Sequence, residues 1–279
     1  MKLFSLFFAV GFAFAQNGPP SVVNAHRETR PFSGTLEAQL KTTPATWFGY
    51  AIKTTRGDHE NCCWNGSGHA GCWLEGGDHT GTISGVQQNR PVQLEGTDTL
   101  AVLFRVENQS VERVQVYSLE CPLDAGGLPF VWLSGVPAGE SIAFLQKLAN
   151  DQTSNRVMNG AIFALSQHED PKALDVLIQL AKTSPSPHVR EQALFWMAQK
   201  AGARAAAAIT DAIQNDPNTE VKKRAVFALS QLPKDEGVPK LIDIARTQRN
   251  PEVRKQAFFW LGQSKDPRAI AFIEQVLTR

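Results

Sequence analysis

The chain has 279 residues, of which 42% are apolar and 20% are charged, with 21 Gly and 16 Pro. This composition excludes a disordered, collagen-like or disulfide-only protein, and the length suffices for two domains with separate cores. Lys and Arg total 28 against 27 for Asp and Glu, so no global charge attracts nucleic acid or an anionic membrane.

The N-terminal residues are typical of a secretory signal peptide. Lys2 provides a positive start, residues 3–14 form an apolar run, and 13–15 match the small-x-small pattern of a signal peptidase site. The run is shorter than a membrane-spanning helix, and no second run of spanning length follows. The sequence predicts cleavage after Ala15 (signal peptide 1–15) and a mature protein that is exported, periplasmic or secreted, without a membrane span.

Residues 16–124 are predicted to form a β-rich domain. Its strand candidates, which follow an extended lead-in over 16–34, are rich in β-branched and aromatic residues or alternate in polarity: 35–40, 46–53, 99–106 and 111–119. The last two flank the polar residues 107–110, which is typical of a β-hairpin. A Gly-rich loop over 57–85 lies within this half. The predicted fold is a small β-sandwich or sheet with one long, disulfide-tied loop.

Composition changes near residues 123–127. Residues 16–124 contain 8 Lys and Arg against 12 Asp and Glu, whereas residues 125–279 contain 19 against 15. The domain boundary is therefore predicted between residues 124 and 125.

The second half, 125–279, is a repeat with a period of 32 residues. The segment Val253–Gln263 recurs three times at steps of 32 without gaps, as Val221–Gln231, Val189–Gln199 and Val157–Gln167. A fourth step reaches Pro129–Gly135, where Trp132 matches Trp260. The pattern predicts about five helix–loop–helix units, the first with a helix A shortened by Pro129.

Each unit is predicted to bury one stripe of each helix. In helix A of the last unit, Ala257, Trp260 and Leu261 cluster on the face of Val253. At the position of Trp260, Trp and Ala alternate between units, which predicts interlocked core layers. Helix B of the last unit is predicted to bury Ile270, Ile273, Val276 and Leu277.

The last unit, NPEVRKQAFFWLGQSKDPRAIAFIEQVL, resembles the short HEAT-like repeat of the phycobilin-lyase type. Its matching features are a polar cap, Val-Arg, small apolar residues, Leu-Gly and Asp-Pro-x-Ala. The resemblance covers about 150 residues and implies a curved α-solenoid, so the overall class is α+β with two domains. Together with WFGYAI…CCW…GCWLE in the first half, the chain resembles exported bacterial HEAT-repeat proteins.

One apolar column of the repeat is predicted to form a binding surface. It consists of one residue per unit, six positions after the repeated Val and nearly opposite the buried stripe: Phe163, Phe195, Phe227 and Phe259. Such an outward ladder would mark an interaction surface, although packing against helix B or the β-domain is the alternative. The concave face of helix B is a second candidate. A recurring Gln, four residues after each Phe, is predicted to bond helix-A carbonyls or the adjacent unit.

The four cysteines, in an exported protein, are predicted to form two disulfides. A bond between the adjacent Cys62 and Cys63 would be strained, which leaves two of the three possible pairings. The favoured one is Cys63–Cys72 across the loop and Cys62–Cys121 to the strand end; the alternative exchanges Cys62 and Cys63. The spacing also allows a zinc site, for which the alternative ligands are His59, Cys62, His69 and Cys72. A metal- or thiol-dependent enzyme or redox protein would use these residues together with Asp58, Cys63, Asp78 and His79.

No catalytic motif is found elsewhere in the sequence. HEAT-like hydroxylases carry His-Glu pairs in several repeats to bind two irons, but here His168-Glu169 stands alone, and positions 200, 232 and 264 are Lys, Leu and Ser. The sequence therefore predicts a non-enzymatic scaffold without a cofactor. Its partner is expected to be a protein or peptide of the cell envelope, and not a nucleic acid.

Overall fold

The computed structural model describes residues 18–55, 61–65, 68–69, 71–76, 98–151, 154–200 and 202–278; the predicted signal peptide lies outside them. The strands are β1 (Val22–Val23), β2 (His26–Pro31), β3 (Thr46–Lys53), β4 (Trp64–Asn65), β5 (Gly68–His69), β6 (Cys72–Trp73), β7 (Thr99–Glu107), β8 (Ser110–Ser118), β9 (Leu123–Asp124) and β10 (Pro129–Ser134). The helices are α1 (Leu36–Gln39), α2 (Ala138–Asn150), α3 (Asn155–Gln167), α4 (Pro171–Thr183), α5 (Pro187–Gln199), α6 (Ala203–Asn215), α7 (Thr219–Ser230), α8 (Lys234–Thr247), α9 (Pro251–Ser264) and α10 (Pro267–Leu277).

The N-terminal half is built on one mixed sheet with the strand order β2-β10-β3-β7-β8. The β2–β10 and β10–β3 pairs are parallel, and the other two pairs are antiparallel. Successive residues of β7 alternate between the two faces: Val102 and Phe104 pack with the helices, whereas Ala101 and Leu103 pack with the cysteine region. The sheet is thus buried on both faces, and its helical side shares one core with the repeat.

The sequence correctly predicts β3 and the β7–β8 hairpin but not the segment 35–40. Asn108 and Gln109 make the hairpin turn with positive φ angles, as a tight turn between twisted strands requires. Residues 35–40 contain the short helix α1 and not a strand, because the Thr35 hydroxyl accepts a hydrogen bond from the Ala38 amide and caps the helix.

The segment Pro129–Gly135 contains strand β10 and not a shortened helix A. Phe130–Trp132 pair with β3, and the whole strand also pairs with β2, so this apolar segment completes the sheet. The sheet therefore extends past the predicted boundary at 124/125, and the helices begin at Ala138. Among the described residues the repeat consists of α2 followed by four complete helix pairs, one helix fewer than predicted.

The four pairs confirm the helical repeat. The A helices (α3, α5, α7 and α9) begin at residues 155, 187, 219 and 251, each 32 residues after the previous one. Side chains cap all four, at Ser154, Ser186, Asn218 and Asn250. Among the described residues, no helix is long and apolar enough to cross a membrane.

The helices form two layers, with the A helices in one and the B helices (α4, α6, α8 and α10) in the other. Neighbouring A helices approach one another more closely than neighbouring B helices do. The stack therefore curves with the A layer on the inner side, so the concave face is not the helix-B face considered from the sequence.

The sheet covers the N-terminal end of this stack. Strand β8 packs against α3 on the side where a preceding A helix would lie. The approach is so close that a Cβ atom on Gly160 would lie 2.2 Å from the carbonyl oxygen of Val114.

The C-terminal end differs from the prediction for helix B. Ala269 and Phe272 are buried and Ile273 is half-buried, but Ile270, Val276 and Leu277 are exposed.

Candidate functional site

The A layer carries a continuous row of aromatic rings, which we call the aromatic ladder. It consists of the four predicted phenylalanines and two tryptophans: Phe163, Phe195, Trp196, Phe227, Phe259 and Trp260. Five of the rings are half-buried, and Phe259 at the C-terminal end is 52% exposed. The predicted phenylalanine column thus lies along one surface, although only its last ring, Phe259, is more than half exposed.

The tryptophans close the gaps between the phenylalanines of alternate repeats. The ring centroid of Trp196 lies 4.6 Å from Phe163 in the preceding repeat and 4.9 Å from Phe195 in its own. Trp260 likewise lies 5.0 Å from both Phe227 and Phe259. These centroid distances are in the range of favourable aromatic pairs.

The middle of the ladder is a direct stack, because position 228 is Ala and provides no ring to insert. Phe195 and Phe227 lie 6.2 Å apart with their planes 7° from parallel. The guanidinium of Arg224 lies 5.3 Å from the centre of Phe195 and 5.0 Å from that of Phe227. This cation–π contact places a positive charge at the centre of the ladder.

Sequence reasoning assigned the three tryptophans to the core, which is confirmed for Trp132 and only in part for Trp196 and Trp260, since these two are half-buried and pack against the core from its edge. Trp132 is buried, but within β10 and on the cysteine side of the sheet. Trp196 and Trp260 are half-buried components of the surface ladder. The recurring Phe-Trp pair in every second repeat was the signal that could have placed them beside the phenylalanines.

A column of glutamines runs beside the ladder. Each Gln lies four residues after a ladder Phe, and hence on the same helix face: Gln167, Gln199, Gln231 and Gln263. Two of them donate to the hydroxyl of the preceding Ser, from Gln167 to Ser166 and from Gln231 to Ser230. They do not bond helix carbonyls as predicted. Gln199 has no hydrogen-bond partner among the described residues.

The cysteines form two disulfides, in the pairing that the sequence favours. The long-range disulfide joins Cys62 to Cys121, and the short-range disulfide joins Cys63 to Cys72. A sulfur in a disulfide is not a thiolate, so these atoms are not the metal ligands or reactive thiols of the alternative interpretation. The other residues of that interpretation, and the side chain of His69, lie outside the described part of the chain: Asp58, His59, Asp78 and His79.

A buried polar network joins the sheet to the helices beside a cavity of about 430 Å³. Tyr50 of β3, Ser141 of α2 and His168 after α3 form a chain, with distances of 2.7 Å between the two hydroxyl oxygens and 2.9 Å from Ser141 Oγ to His168 Nε2. Since Tyr50 has no other described partner for its proton, it donates to Ser141, which donates to the unprotonated Nε2.

The environment of His168 keeps the imidazole neutral. Burial, and to a smaller extent the ammonium of Lys200, lower the pKa of His168 to about 4, whereas Asp170 acts in the opposite direction. Lys200 Nζ also donates to the His168 carbonyl oxygen, and Glu169 N donates to the Lys53 carbonyl oxygen. This network therefore joins the two halves of the molecule.

Comparison with known proteins establishes the family. The model of HEAT repeats matches residues 132–198 and 206–279, just over half of the chain, and the protein belongs to the HEAT-repeat family. Its first match begins inside β10, where the sequence repeat remains detectable although the backbone is a strand. Among the described residues, no group of three or more His, Cys, Asp or Glu could hold a metal ion.

Solved structures that match part of the chain include human deoxyhypusine hydroxylase in complex with glycerol, at 19% identity and a TM-score of 0.38. That match covers 46% of this chain and 45% of the hydroxylase, so the chain spans less than half of that protein. The CpcE–CpcF complex of phycocyanin lyase from Nostoc sp. PCC7120 matches at 23% identity and a TM-score of 0.32, covering 44% of this chain and 87% of the other. No curated protein matches the chain.

Proposed function

We propose that this protein is an exported, non-enzymatic scaffold that binds an extended, acidic segment of a partner protein along the aromatic ladder. The observation that carries the proposal is the continuity of half-exposed rings across four repeats on the inner side of the stack. Repeat proteins present extended concave surfaces of this kind for recognition, and aromatic side chains dominate binding energy at interfaces.

The dimensions of the ladder suit an extended chain. Neighbouring packed helices lie about 8–10 Å apart, so four A helices span about 30 Å. A polyproline II segment advances about 3.1 Å per residue, so one residue in three would meet each repeat, and about ten residues would cross the ladder. The glutamine column offers an amide donor and acceptor in each repeat, which complements the peptide groups of such a segment.

The charge of the A layer favours an acidic partner. Helices α3, α5, α7 and α9 together carry seven Lys or Arg and three Glu. Of these seven basic residues, only Arg190 is buried. Helices α4, α6, α8 and α10 carry seven Lys or Arg and six Asp or Glu. The excess of positive charge therefore lies in the A layer, with Arg224 within the ladder itself, and complementary charge on a partner would steer and orient it.

The binding proposal is tested by selecting random displayed peptides of about 12 residues against the mature protein. We expect the selected peptides to be acidic and to contain apolar or proline residues at intervals of about three. The double variant Phe195→Ala/Phe227→Ala should weaken their binding at least ~30-fold, since each truncated anchor removes more than about 1 kcal/mol.

The matched control is Leu174→Ala/Ile242→Ala, which removes two half-buried apolar side chains from α4 and α8 in the B layer. It should bind the selected peptides like the wild type, and thermal unfolding would verify that both variants fold. Peptides that bind the ladder variant undiminished, or a selection that yields basic peptides, would contradict the proposal.

Export to the cell envelope is part of the same proposal and rests on the signal-peptide pattern of residues 1–15. Expression of the full chain in a bacterium, followed by fractionation and mass spectrometry, should recover the protein outside the cytoplasm with Gln16 as its first residue. A cytoplasmic protein that retains Met1 would exclude this part of the proposal.

A further inference from the structure

The cavity beside the buried polar network lies at an open edge of the sheet. Strands β10 and β3 pair in parallel as far as Trp132 and Gly49 and then separate. Beyond this point β3 continues along the cavity, whereas β10 ends and the chain enters α2. We call this space the junction cavity and define it by five of its lining residues: Ala51, Lys53, Ala138, Ser141 and His168.

The edge of β3 in the junction cavity carries backbone groups without a partner. Backbone groups of successive strand residues alternate between the two edges, and the Thr54 amide donates to the Asp98 carbonyl oxygen on the β7 side. Ala51 and Lys53 therefore face the side that β10 has left. The Lys53 carbonyl oxygen accepts from the Glu169 amide, but the N–H and C=O of Ala51 and the N–H of Lys53 have no hydrogen-bond partner among the described residues. This order of donor, acceptor and donor matches an extended peptide.

A buried side-chain donor faces the same cavity. His168 is 2% exposed, and its Nε2 accepts from Ser141, so the proton of the neutral ring is on Nδ1. Within the described ranges Nδ1 has no hydrogen-bond partner, yet it is accessible from the cavity. An N–H donor that is removed from bulk water without a partner is costly, and a ligand oxygen would satisfy it.

The first turn of α2 adds further donors. This helix has 13 residues and follows Pro137, which has no side-chain group to cap the amides of Ala138 and Gly139. The carboxylate of Glu140 in the same turn accepts from the Leu36 amide and does not cap these groups. Free amides at a helix N-terminus, together with the helix dipole, bind carboxylates.

The charged side chains at the cavity offset one another in pairs. Lys53 and Glu169 are exposed at its rim. The Asp170 carboxylate accepts from the amide of Lys172 at the start of α4, and the ammonium of Lys200 contacts the His168 carbonyl oxygen. The N-terminus of α2 and the His168 N–H therefore determine which group of a ligand is preferred there, and both favour an anionic oxygen.

We propose that the junction cavity binds the C-terminal end of a peptide, which adds a short strand to the open edge of β3. The main chain of the peptide pairs with Ala51 and Lys53, and its terminal carboxylate lies at the first turn of α2. A carbonyl oxygen near the terminus accepts from His168 Nδ1. Strand addition to a sheet edge and capture of a terminal carboxylate by backbone amides are both recurring modes of peptide recognition. The site uses no residue of the aromatic ladder.

The dimensions of the junction cavity suit about three peptide residues. A strand rises about 3.3 Å per residue, so the open stretch from Ala51 to Lys53 is about 7 Å long. The volume of about 430 Å³ lies in the range of small-ligand sites, about 300–1,000 Å³. Ile52, Val136 and Pro171 contribute apolar surface to the walls. We therefore expect the last residue of the peptide to be apolar.

The test uses a library of fluorescent hexapeptides in which the last three residues are varied and the C-terminal carboxylate is free. Fluorescence anisotropy measures their binding to the mature protein. We expect peptides with an apolar last residue to bind with dissociation constants of about 1–100 μM. The same peptides with a C-terminal amide should bind at least ~10-fold more weakly, because they lack the charge-assisted hydrogen bonds to α2.

The variant Ala138→Pro removes one of the proposed carboxylate donors without disturbing the helix. Proline is favoured at the first helical position, and Pro137 has a ψ of 143°, which suits the residue before a proline. Peptide binding should weaken at least ~10-fold. The matched control is Ala203→Pro at the first position of α6, another helix without a side-chain cap and away from the cavity. It should bind like the wild type, and thermal unfolding would verify that both variants fold.

Two further measurements identify the other contacts. In His168→Gln the amide oxygen can still accept from Ser141, but the donor at the position of Nδ1 is lost, and binding should weaken about 2–10-fold. Amide hydrogen exchange followed by NMR should slow at Ala51 and Lys53 when the peptide is bound. The amide of Thr54, which already donates to Asp98, should not change.

The absence of binding by every peptide at about 1 mM would overturn the proposal. Equal binding of the free and amidated peptides would also overturn it, as would peptide binding that leaves exchange at Ala51 and Lys53 unchanged. Peptides that are lost in Phe195→Ala/Phe227→Ala but not in Ala138→Pro bind the ladder. That result would contradict the junction site and spare the proposed function, whereas binding that depends on Ala138 alone would support the junction site without bearing on the ladder.

Discussion

Acidification should destabilise the fold through His168, the buried imidazole that joins the sheet to the repeat. The unfolded chain takes up a proton at this residue with the ordinary pKa of 6.5, whereas the folded protein does so only at a pKa of about 4. Between these values the unfolded state binds more protons, so the free energy of unfolding falls as the pH falls. The contribution is complete above about pH 6.5 and is lost by about pH 4.

The magnitude follows from the difference between the two pKa values. At 1.36 kcal/mol per pKa unit, the shift corresponds to about 3 kcal/mol over the whole window. Part of the loss has a direct structural cause: a protonated Nε2 cannot accept the hydrogen bond from Ser141, and the new charge would lie near Lys200.

The assay compares urea unfolding of the wild type and of His168→Gln between pH 7.5 and about pH 4. The amide oxygen of Gln can accept from Ser141 but does not titrate, so the variant reports every other pH-dependent group. We expect the wild type to lose about 3 kcal/mol more than the variant over this range. A pH-independent difference between the two proteins would refute the reasoning.

Three further predictions concern stability. Gly160→Ala should lower the free energy of unfolding by about 1–3 kcal/mol, because the added Cβ would overlap the carbonyl of Val114. The control, Gly262→Ala in α9, meets nothing within 4 Å and should raise the free energy of unfolding by about 0.5–1 kcal/mol. Chemical denaturation of both variants compares them directly. Asp216→Ala should lower the free energy of unfolding by about 3–5 kcal/mol, since it leaves the buried guanidinium of Arg190 without its bidentate partner. Adding Arg190→Met should recover much of this loss, as measured by calorimetric unfolding. Replacing both cysteines of the long-range disulfide, with a sequence separation of 59, should cost about 1–2 kcal/mol more than replacing those of the short-range disulfide, with a separation of 9. An equal cost, measured by denaturation of the two double variants, would speak against loop-closure entropy as the main stabilising effect.

The helical repeat could be predicted because its signals are local. Each A helix starts with a side chain that caps its own first amides, such as Ser186 or Asn250, and its apolar stripe follows from the 3.6-residue period. The β7–β8 hairpin was predictable for the same reason, since the turn residues and the flanking alternation lie within twenty residues of one another.

The segment Pro129–Gly135 shows where periodicity fails. It keeps the repeat's Trp and Leu, yet it is strand β10, because Phe130–Trp132 find backbone partners in β3 and the strand as a whole pairs with β2. Those partners lie about eighty to one hundred residues earlier in the chain. A repeat alignment contains no information about such long-range pairing, and tertiary context overrides the local pattern.

The candidate site was half predictable. The phenylalanine column follows from the period alone, but the placement of Trp196 and Trp260 beside it depends on how adjacent helices rotate against each other. A helical azimuth read from sequence does not determine whether a ring at the edge of a stripe enters the core or reaches the surface. Only the packing of two neighbouring repeats decides this.

The sequence by itself determined the number of residues per repeat, the caps and the alternation of Trp with Ala, because each depends on residues that are near in the chain or chemically distinctive. It favoured two disulfides and excluded a bond between the adjacent Cys62 and Cys63, but it did not determine which of these two cysteines joins Cys121. Only the tertiary structure decided that the A layer faces inward, that β8 replaces a helix at one end of the stack and that Ile270, Val276 and Leu277 of α10 are exposed. These features depend on which surfaces meet, and an identical repeat is buried or exposed according to whether a neighbour is there to cover it.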